Sequence, residues 1–572
     1  MQQTTIAKWL MAALLAGAGS GLWAQSRPVE GAVLSNDGWP RATRLSEWTA
    51  DVVRISGLEK GSETAQGKAF FEWLRLFSRM AVGGMIQSFE GPYGQERPVL
   101  DAHKQLFVYG WGFCDTSSRI AEAAWKEYKR DVKAASRVIT QHEDGGYHTM
   151  YSLRLDGRDA AFDPRYGYYL IERDAPDARV LGWAELKGKF EQNRGFKHRS
   201  GPYFEIAGKE WDRALLLEAA YFESEAAWRA AGAPIENVFG DTAYTMGTRF
   251  HEMGFTLLRG MTIERRWDNG ARKFYVPAGE RTKREWPFLP SGRFYRVTEE
   301  SHGGNWPKND PNYGRIQQYL SQVPAAEGYP EEVAGGRTIG QASGVIDYRP
   351  KLSDPAYLDG LAPGGTLRHS AEPPYLRPAR PGEGGEAIFD IRSPYVLVDG
   401  TLSAALAGAG TEVAIRTFAP KPRNAAEPDA WSEWETLRTG AGTHSVELGR
   451  PRFNGKQVSI HGVYRFQLRV RVTGDAAGGE PAGLMKLGLL LHFENGIMSI
   501  PPLFSGTNTL RFRVAEAGAL KGPVTVEYRY ETAAGEKVHR QVLRPADFRQ
   551  GEAVYRAEAP GLTRCRTVSV SY

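Results

Sequence analysis

The strongest constraint in this sequence is a change of hydrophobic period along the chain. From about residue 386 to the C-terminus, apolar and polar residues alternate in short runs: YVLVDGTLSAAL, TEVAIRTF, VYRFQLRVRV, then LRFRVA, VTVEYRYE and RTVSVSY. Successive side chains of a strand point to opposite faces, so a period of two marks a half-buried strand. No helical period of useful length interrupts these runs. They predict two small β-sandwich modules, residues 386–480 and 481–572. The 65 glycines and 11% aromatic residues suit such a turn-rich architecture.

Ahead of these modules the period is mixed. In KAFFEWLRLFSRM, Phe70, Trp73, Leu74 and Phe77 recur at i, i+3, i+4 and i+7, which makes one buried helical stripe. A second helix is predicted from about Thr116 to Ala135, with Asp115, Thr116 and Ser117 as capping residues. From Tyr147, YHTMYSLRLDGRDAAFDP reads as a hairpin about Asp156-Gly157, and residues 208–232 return to helix. The mixture predicts an α+β domain over 40–238. Residues 239–349 read as a β-rich domain with two strands about an Asn269-Gly270 turn, and the Pro/Gly-rich stretch 350–385 reads as a linker.

Composition narrows the function classes. A chain of 572 residues holds roughly three to four domains. With 41% hydrophobic and 24% charged residues it is neither disordered nor a polytopic membrane protein. A net charge of +5 spread over this length, without a dense Lys/Arg run, gives no footprint for nucleic acid. Two cysteines make neither a disulfide scaffold nor a four-sulfur zinc site. Residues 1–24, MQQTTIAKWLMAALLAGAGSGLWA, place Lys8 before a short apolar core and end in small residues at Ala24. This is the layout of a secretory signal peptide, its core shorter than the ~20 residues that span a bilayer. A secreted or periplasmic protein is expected, without a membrane anchor after cleavage.

Chemistry concentrates around Cys114 in VYGWGFCDTSSRIAEAAW. A cysteine that opens an amphipathic helix sits at the positive end of the helix dipole, where a thiolate is favoured. Taken alone, a small buried hydrophobe is an equally good reading of such a residue. His148 and Asp163 add to it. With a two-residue turn at Asp156-Gly157, Leu155 pairs with Arg158 and Asp163 comes to lie opposite Met150. Met150 and His148 share a face, so Asp163 falls on the face of His148, on the diagonal. A thiol nucleophile needs a base, and the base needs an orienting carboxylate; Cys114, His148 and Asp163 supply these roles in chain order.

Gly112-Phe113-Cys114 opening a helix, a strand beginning at His148, the Asp156-Gly157 turn and Phe162-Asp163-Pro164 together resemble the transglutaminase-like core. The resemblance spans about residues 65–170. It differs from the commonest family pattern at Met150, where an aromatic is usual, and in the QLFVYGWGFC segment. It implies a papain-like α+β architecture with Cys114 as nucleophile, His148 as general base and Asp163 as orienter. Amide bonds would then be attacked through a thioester intermediate, with hydrolysis favoured over transamidation and no cofactor or metal required. Cys114 N–H, or a side chain from Gln105, Tyr109 or Trp111, is a candidate oxyanion donor, although core packing is the more ordinary role for these three.

Other motifs are weaker. His251-Glu252 is half of a zinc motif, without the second histidine. His142-Glu143-Asp144 reads as a polar loop, and Ser301 to Gly314, rich in oxygen ligands, fits no EF-hand spacing. A Cys565 bridge to Cys114 would remove the nucleophile. Trp431 and Trp434 lie three apart, so on one strand they would face opposite sides, the arrangement a sugar-stacking platform would use, although core packing is the more ordinary role for either. The expected protein is therefore a secreted cysteine enzyme with peptide or protein amide substrates and carbohydrate-binding β modules. The alternatives are a non-catalytic extracellular glycan- or protein-binding protein and a polysaccharide-degrading enzyme using 240–350.

Overall fold

The computed structural model describes residues 27–80, 89–90, 97–99, 101–112, 114–129, 134–140, 147–164, 168–170, 172, 178–182, 185, 204–206, 251–267, 344–380, 382–419, 430–449, 460, 462–474 and 481–572. Residues 1–24, the helix expected over 208–232 and the Asn269-Gly270 turn lie outside them.

Strand β1 (Val29–Asn36) opens the described chain but pairs with strands far from it in sequence. It runs antiparallel to Gly506–Arg513, with Val33 opposite Arg513 and Asn36 opposite Leu510. Among the described residues three α-helices follow, α1 (Leu45–Ile55), α2 (Glu63–Phe77) and α3 (Cys114–Lys129), with a short π-helical turn at Lys104–Tyr109 before the last. The stripe Phe70, Trp73, Leu74 and Phe77 is fully buried as its spacing predicts, and Phe71 is buried with it, so α2 is covered on two sides. The second helix starts at Cys114 and ends at Lys129, short of Ala135. Ala134 and Ala135 instead begin a strand, because Val138 and Ile139 pair with the strand that carries His148. That strand belongs to an antiparallel sheet of β2 (Ala134–Thr140), β3 (Tyr147–Leu155), β4 (Arg158–Asp163), β5 (Tyr168–Leu170) and β6 (Phe204–Ile206), ordered β6-β5-β4-β3-β2.

The remainder is β-sheet in sandwiched layers. One sheet is ordered Phe255–Leu257, β1, Gly506–Arg513 and Glu552–Ala559. Its inner residues Leu34, Phe255, Leu257 and Phe512 meet Ile263, Val568 and Val570 of a ten-stranded sheet. The other end of that large sheet, Val396–Ala407 and Gly483–Glu494, contributes buried Leu402, Leu489 and Leu491. A five-stranded sheet containing Gly385–Arg392, Thr411–Ala419 and Arg465–Val472 contributes buried Phe389, Ile391, Ile415 and Leu468.

The β-sandwich character was legible, but strand pairing crosses the boundaries drawn from sequence. Gly483–Glu494 pairs with Val396–Ala407 across position 480. Met261–Arg266 and Gly344–Tyr348 pair with each other and with Leu562–Ser571 and Gly483–Glu494 respectively, so the described strands of 239–349 are central members of the shared sheet. Alternation marks a strand and leaves its partner open, so these joins are not written in the local pattern. Residues 350–385 are not a free linker either. Tyr357, Leu367 and Leu376 are buried, and Leu376 pairs with Leu484. Apolar anchors spaced through the Pro/Gly-rich stretch hold it against the body.

The helices dock on the β body through Trp39. Its indole N–H donates to Met498 O at 2.8 Å, and its ring packs against Trp73, Phe77 and Phe504. Phe107 O accepts from Ser499 Oγ at 2.7 Å and from Gly496 N–H at 3.1 Å. Tyr464 OH donates to Tyr109 OH at 3.3 Å.

Within 350–385 one buried carboxyl stands out. Asp359 is 4% exposed, accepts from Arg259 N–H at 3.1 Å and lies near Tyr348. Burial pushes its carboxyl up to about 7, against the smaller opposing effect of the hydrogen bonds and the charge of Arg259. A folded-state value above the unfolded one means that folding takes up a proton. The stability Asp359 contributes is therefore complete below the ordinary carboxylate range and is lost as pH rises toward about 7. Asp359→Asn, neutral throughout, is expected to show a smaller fall in Tm than the wild type between about pH 4 and pH 7. Parallel Tm curves for the two proteins would contradict this assignment.

Candidate functional site

Helix α3 begins at Cys114, after Gly110 in the left-handed region (φ 68°) and the pair Trp111-Gly112, which runs parallel to Arg79-Met80. A chain that must turn sharply into a helix favours glycine at such a φ. The first turns of α3 bury three hydroxyls, those of Thr116, Ser117 and Ser118. Ser117 Oγ lies 2.8 Å from Ser78 Oγ at the end of α2, and Ser118 Oγ donates to Thr149 O at 3.1 Å. Ser118 stands one helical turn after Cys114 and Thr149 follows His148, so the helix start is fastened to the His148 strand.

The hairpin has the register that its turn predicts. Asp156 (φ 48°) and Gly157 (φ 76°) form a two-residue turn with both residues left-handed. Leu155 is opposite Arg158, and Tyr151 opposite Phe162. One step beyond Phe162, Asp163 has the strand parity of His148; Asp163 itself pairs with Tyr168 on β5, and His148 with Ile139 on β2. The side chains of Cys114, His148 and Asp163 lie outside the described residues, as does the Trp111 side chain. The backbone brings together the three elements that carry the predicted residues.

Two devices fix this hairpin. On the parity of Tyr151, an aromatic group joins it to α2: Phe71 lies 5.2 Å from Phe162 and 5.6 Å from Tyr169, and Tyr151 stacks on Phe162 at 5.3 Å. At the turn, Asp156 reaches the start of α2, where its carboxylate accepts from Thr64 Oγ1 (2.7 Å), Thr64 N–H (3.0 Å) and Glu63 N–H (3.2 Å). Glu63 Oε2 returns the contact by accepting from Asp156 N–H at 2.8 Å. Ser62 Oγ caps the same helix at Ala65 N–H, so three of its first N–H groups find side-chain acceptors. Burial alone would raise the Asp156 carboxyl; the hydrogen bonds from Thr64 and Glu63, with Lys129 nearby, more than offset this and leave it below its ordinary value.

The remaining candidates have other roles. Gln105 Nε2 donates to Val99 O at 2.9 Å and is buried; Tyr109 is buried against Tyr464. Both support the core. His251 Nε2 lies 2.7 Å from Pro394 O, with its ring against Tyr464, and Glu252 is exposed. Among the described residues no group of three His, Cys, Asp or Glu is placed to hold a metal. Residues 142–144 and 301–314 lie outside the described residues. Cys565 is a buried thiol outside any disulfide, so the bridge to Cys114 does not form; burial pushes it up to about 12, and Leu503 N–H donates to its sulfur at 3.3 Å. His103, not singled out by any motif, is a buried histidine whose Nε2 accepts from Leu45 N–H at 3.4 Å, and burial lowers its pKa.

Trp431 and Trp434 depart from expectation. The strand breaks after Trp431, so the alternation rule does not run through to Trp434, and both rings are half-buried. Arg416 lies between them, 4.7 Å from Trp431 and 4.5 Å from Trp434. Arg465 lies over Trp431 at 4.9 Å, and Arg469 over Trp434 at 4.7 Å. Guanidinium groups therefore cover the faces that a sugar ring would need.

No family model matches this chain, and no curated protein matches it. Among solved structures, a glycosyl hydrolase family 2 member from Bacteroides cellulosilyticus is 8% identical, with a TM-score of 0.12 over 33% of this chain and 24% of that one. A Bacteroides uniformis β-glucuronidase is 14% identical, with a TM-score of 0.12 over 32% and 22%. A Paenibacillus xanthan lyase is 9% identical, with a TM-score of 0.12 over 37% and 24%. The chain spans about a quarter of the length of the solved structures it matches, and superposition at this level carries no functional argument.

Removing the turn carboxylate should loosen the hairpin. Asp156→Ala is expected to cost about 0.5–2 kcal/mol in urea unfolding at pH 7. Because the folded-state value is depressed, the wild type loses this contribution as pH falls through and below the ordinary carboxylate range. The gap between wild type and variant should therefore close in acid; a gap that stays constant would show that Asp156 does not act through its charge.

Proposed function

We propose that the N-terminal α+β region is a transglutaminase-like cysteine enzyme that hydrolyses amide bonds. The observation that carries this reading is the hairpin register: Leu155 opposite Arg158 gives Asp163 the parity of His148, on a strand fastened to the helix that begins at Cys114. The Cys114 thiolate, favoured by the helix N-terminus, attacks the amide carbonyl. The new C–S bond forms as the π electrons move to oxygen, and the Cys114 N–H is the nearest candidate donor to that oxyanion. His148, protonated when the thiolate forms, gives its proton to the leaving amine as the C–N bond breaks. Asp163 holds the imidazole in the tautomer and direction this requires. Water, deprotonated by His148, then opens the thioester and releases the acid.

Hydrolysis is preferred over transamidation because no amine-binding feature is legible around the motif. The acyl donor belongs to the class of peptide or protein amides. We further infer an exported protein, from the layout of residues 1–24. In an oxidising compartment the nucleophile keeps its thiol because Cys565 is sealed in the β body, 0% exposed.

The test is selective alkylation. Iodoacetamide at pH 6 is expected to label Cys114 in the folded protein and leave Cys565 untouched. His148→Ala should move the pH midpoint of labelling up toward that of an ordinary thiol. Cys114→Ala should abolish amide release from peptide, peptidoglycan-stem and glutamine substrates. Sluggish labelling at both cysteines, or sugar release that survives Cys114→Ala, would overturn the assignment and move the activity to the β-rich region.

A further inference from the structure

We propose that the outward face of the five-stranded sheet binds a linear glycan that carries carboxylates, held along a row of arginines. This inference is independent of the cysteine site. Register sets Arg392, Arg465 and Phe418 in one row across Gly385–Arg392, Arg465–Val472 and Thr411–Ala419. The next row holds Asp390, Gln467 and Arg416; the following rows carry Arg469 and then Arg471 beside Glu386 and Glu412. Across these three strands the face presents five arginines against three carboxylates.

The internal ion pairs leave cationic donors over. Asp390 serves both Arg392 and Arg465, Glu30 pairs with Arg392 as well, and Glu412 serves Arg469. Arg416 forms no ion pair among the described residues, although Asp390 and Glu386 lie within electrostatic range; its Nε and Nη2 both donate to Gln467 Oε1, at 2.9 and 2.7 Å. Arg469 Nε is buried without a hydrogen-bond partner among the described residues. Arg471 is exposed and has no ion pair among the described residues. An approaching anion therefore meets the exposed Arg471 and the half-buried Arg416, neither of which forms an ion pair among the described residues.

Spacing selects the kind of anion. Each indole has two guanidiniums within 4.5–4.9 Å of its centroid, so successive charges stand at most about 9–10 Å apart along the row. A span of that size is comparable with the length of a disaccharide. A linear uronate chain presents carboxylates at intervals of this order, and the planar guanidinium fork matches a carboxylate. With the indole faces already covered, recognition is by charge and not by ring stacking. Neutral glycans and nucleobases, which depend on an open aromatic face, are disfavoured.

Calorimetric titration of the full chain with polygalacturonate, dextran and anionic phosphatidylserine vesicles tests the proposal. Polygalacturonate is expected to bind, more weakly at 300 mM than at 50 mM salt, whereas dextran and vesicles do not. Arg416→Gln should weaken binding by tenfold or more, with Tm recorded alongside. If that variant unfolds, Arg471→Gln decides, since it lies outside the stack; a loss of threefold or more is expected. No polygalacturonate binding, equal binding of dextran or vesicles, or unchanged affinity in the folded variants would overturn it.

Discussion

The architecture depends on the chain returning to its own beginning. Strand β1 is seated in a sheet whose other members come from residues 255–257, 506–513 and 552–559. Closing a loop of this length costs only about 5 kcal/mol beyond a constant, because the entropy grows with the logarithm of length. Burial of Val29, Ala32 and Leu34, at ~1.5–3 kcal/mol for each large side chain, offsets a cost of that size. Trp39, three residues past the end of β1, then carries the anchoring over to the helices through Met498, Trp73 and Phe77. The helical layer is thus held to the sandwiches at a point next to the strand that closes them.

The same economy governs the candidate active site. A nucleophile on a helix and a base on a strand need two elements fixed against each other, and the chain does this away from the reacting groups. Asp156 closes its turn onto α2, Phe71 fills the space under Phe162 and Tyr169, and Ser118 joins α3 to β3. None of these residues need touch a substrate. Rigid support of this kind is what lets a short constellation keep its geometry.

Charge is distributed by a comparable division of labour. The arginines of the five-stranded sheet are spaced by indoles, which lets cations stand close together without direct contact. Burial, and then the charges of Arg469 and Arg465, hold Arg416 below its ordinary value, so the stack stores like-charge crowding that an anion would relieve. In the short turn Pro355–Gly360 the opposite choice is made, and Asp359 is buried beside Tyr348.

Local sequence settled whatever depends on near neighbours. The period of Phe70, Trp73, Leu74 and Phe77 gave the buried stripe of α2, Asp156-Gly157 gave the turn and with it the register of His148 against Asp163, and alternation gave the C-terminal strands. Each of these is written within about a dozen residues, where backbone geometry leaves few options. Partner choice was not written there. Nothing in Val29–Asn36 names Gly506–Arg513, and nothing in the Pro/Gly-rich stretch shows that Leu376 will meet Leu484. The stacking of Trp431 and Trp434 around Arg416 needed three strands to be brought side by side. Only the folded chain decides such contacts, because a strand's edge hydrogen-bonds equally well to many others until burial of side chains on both faces selects one.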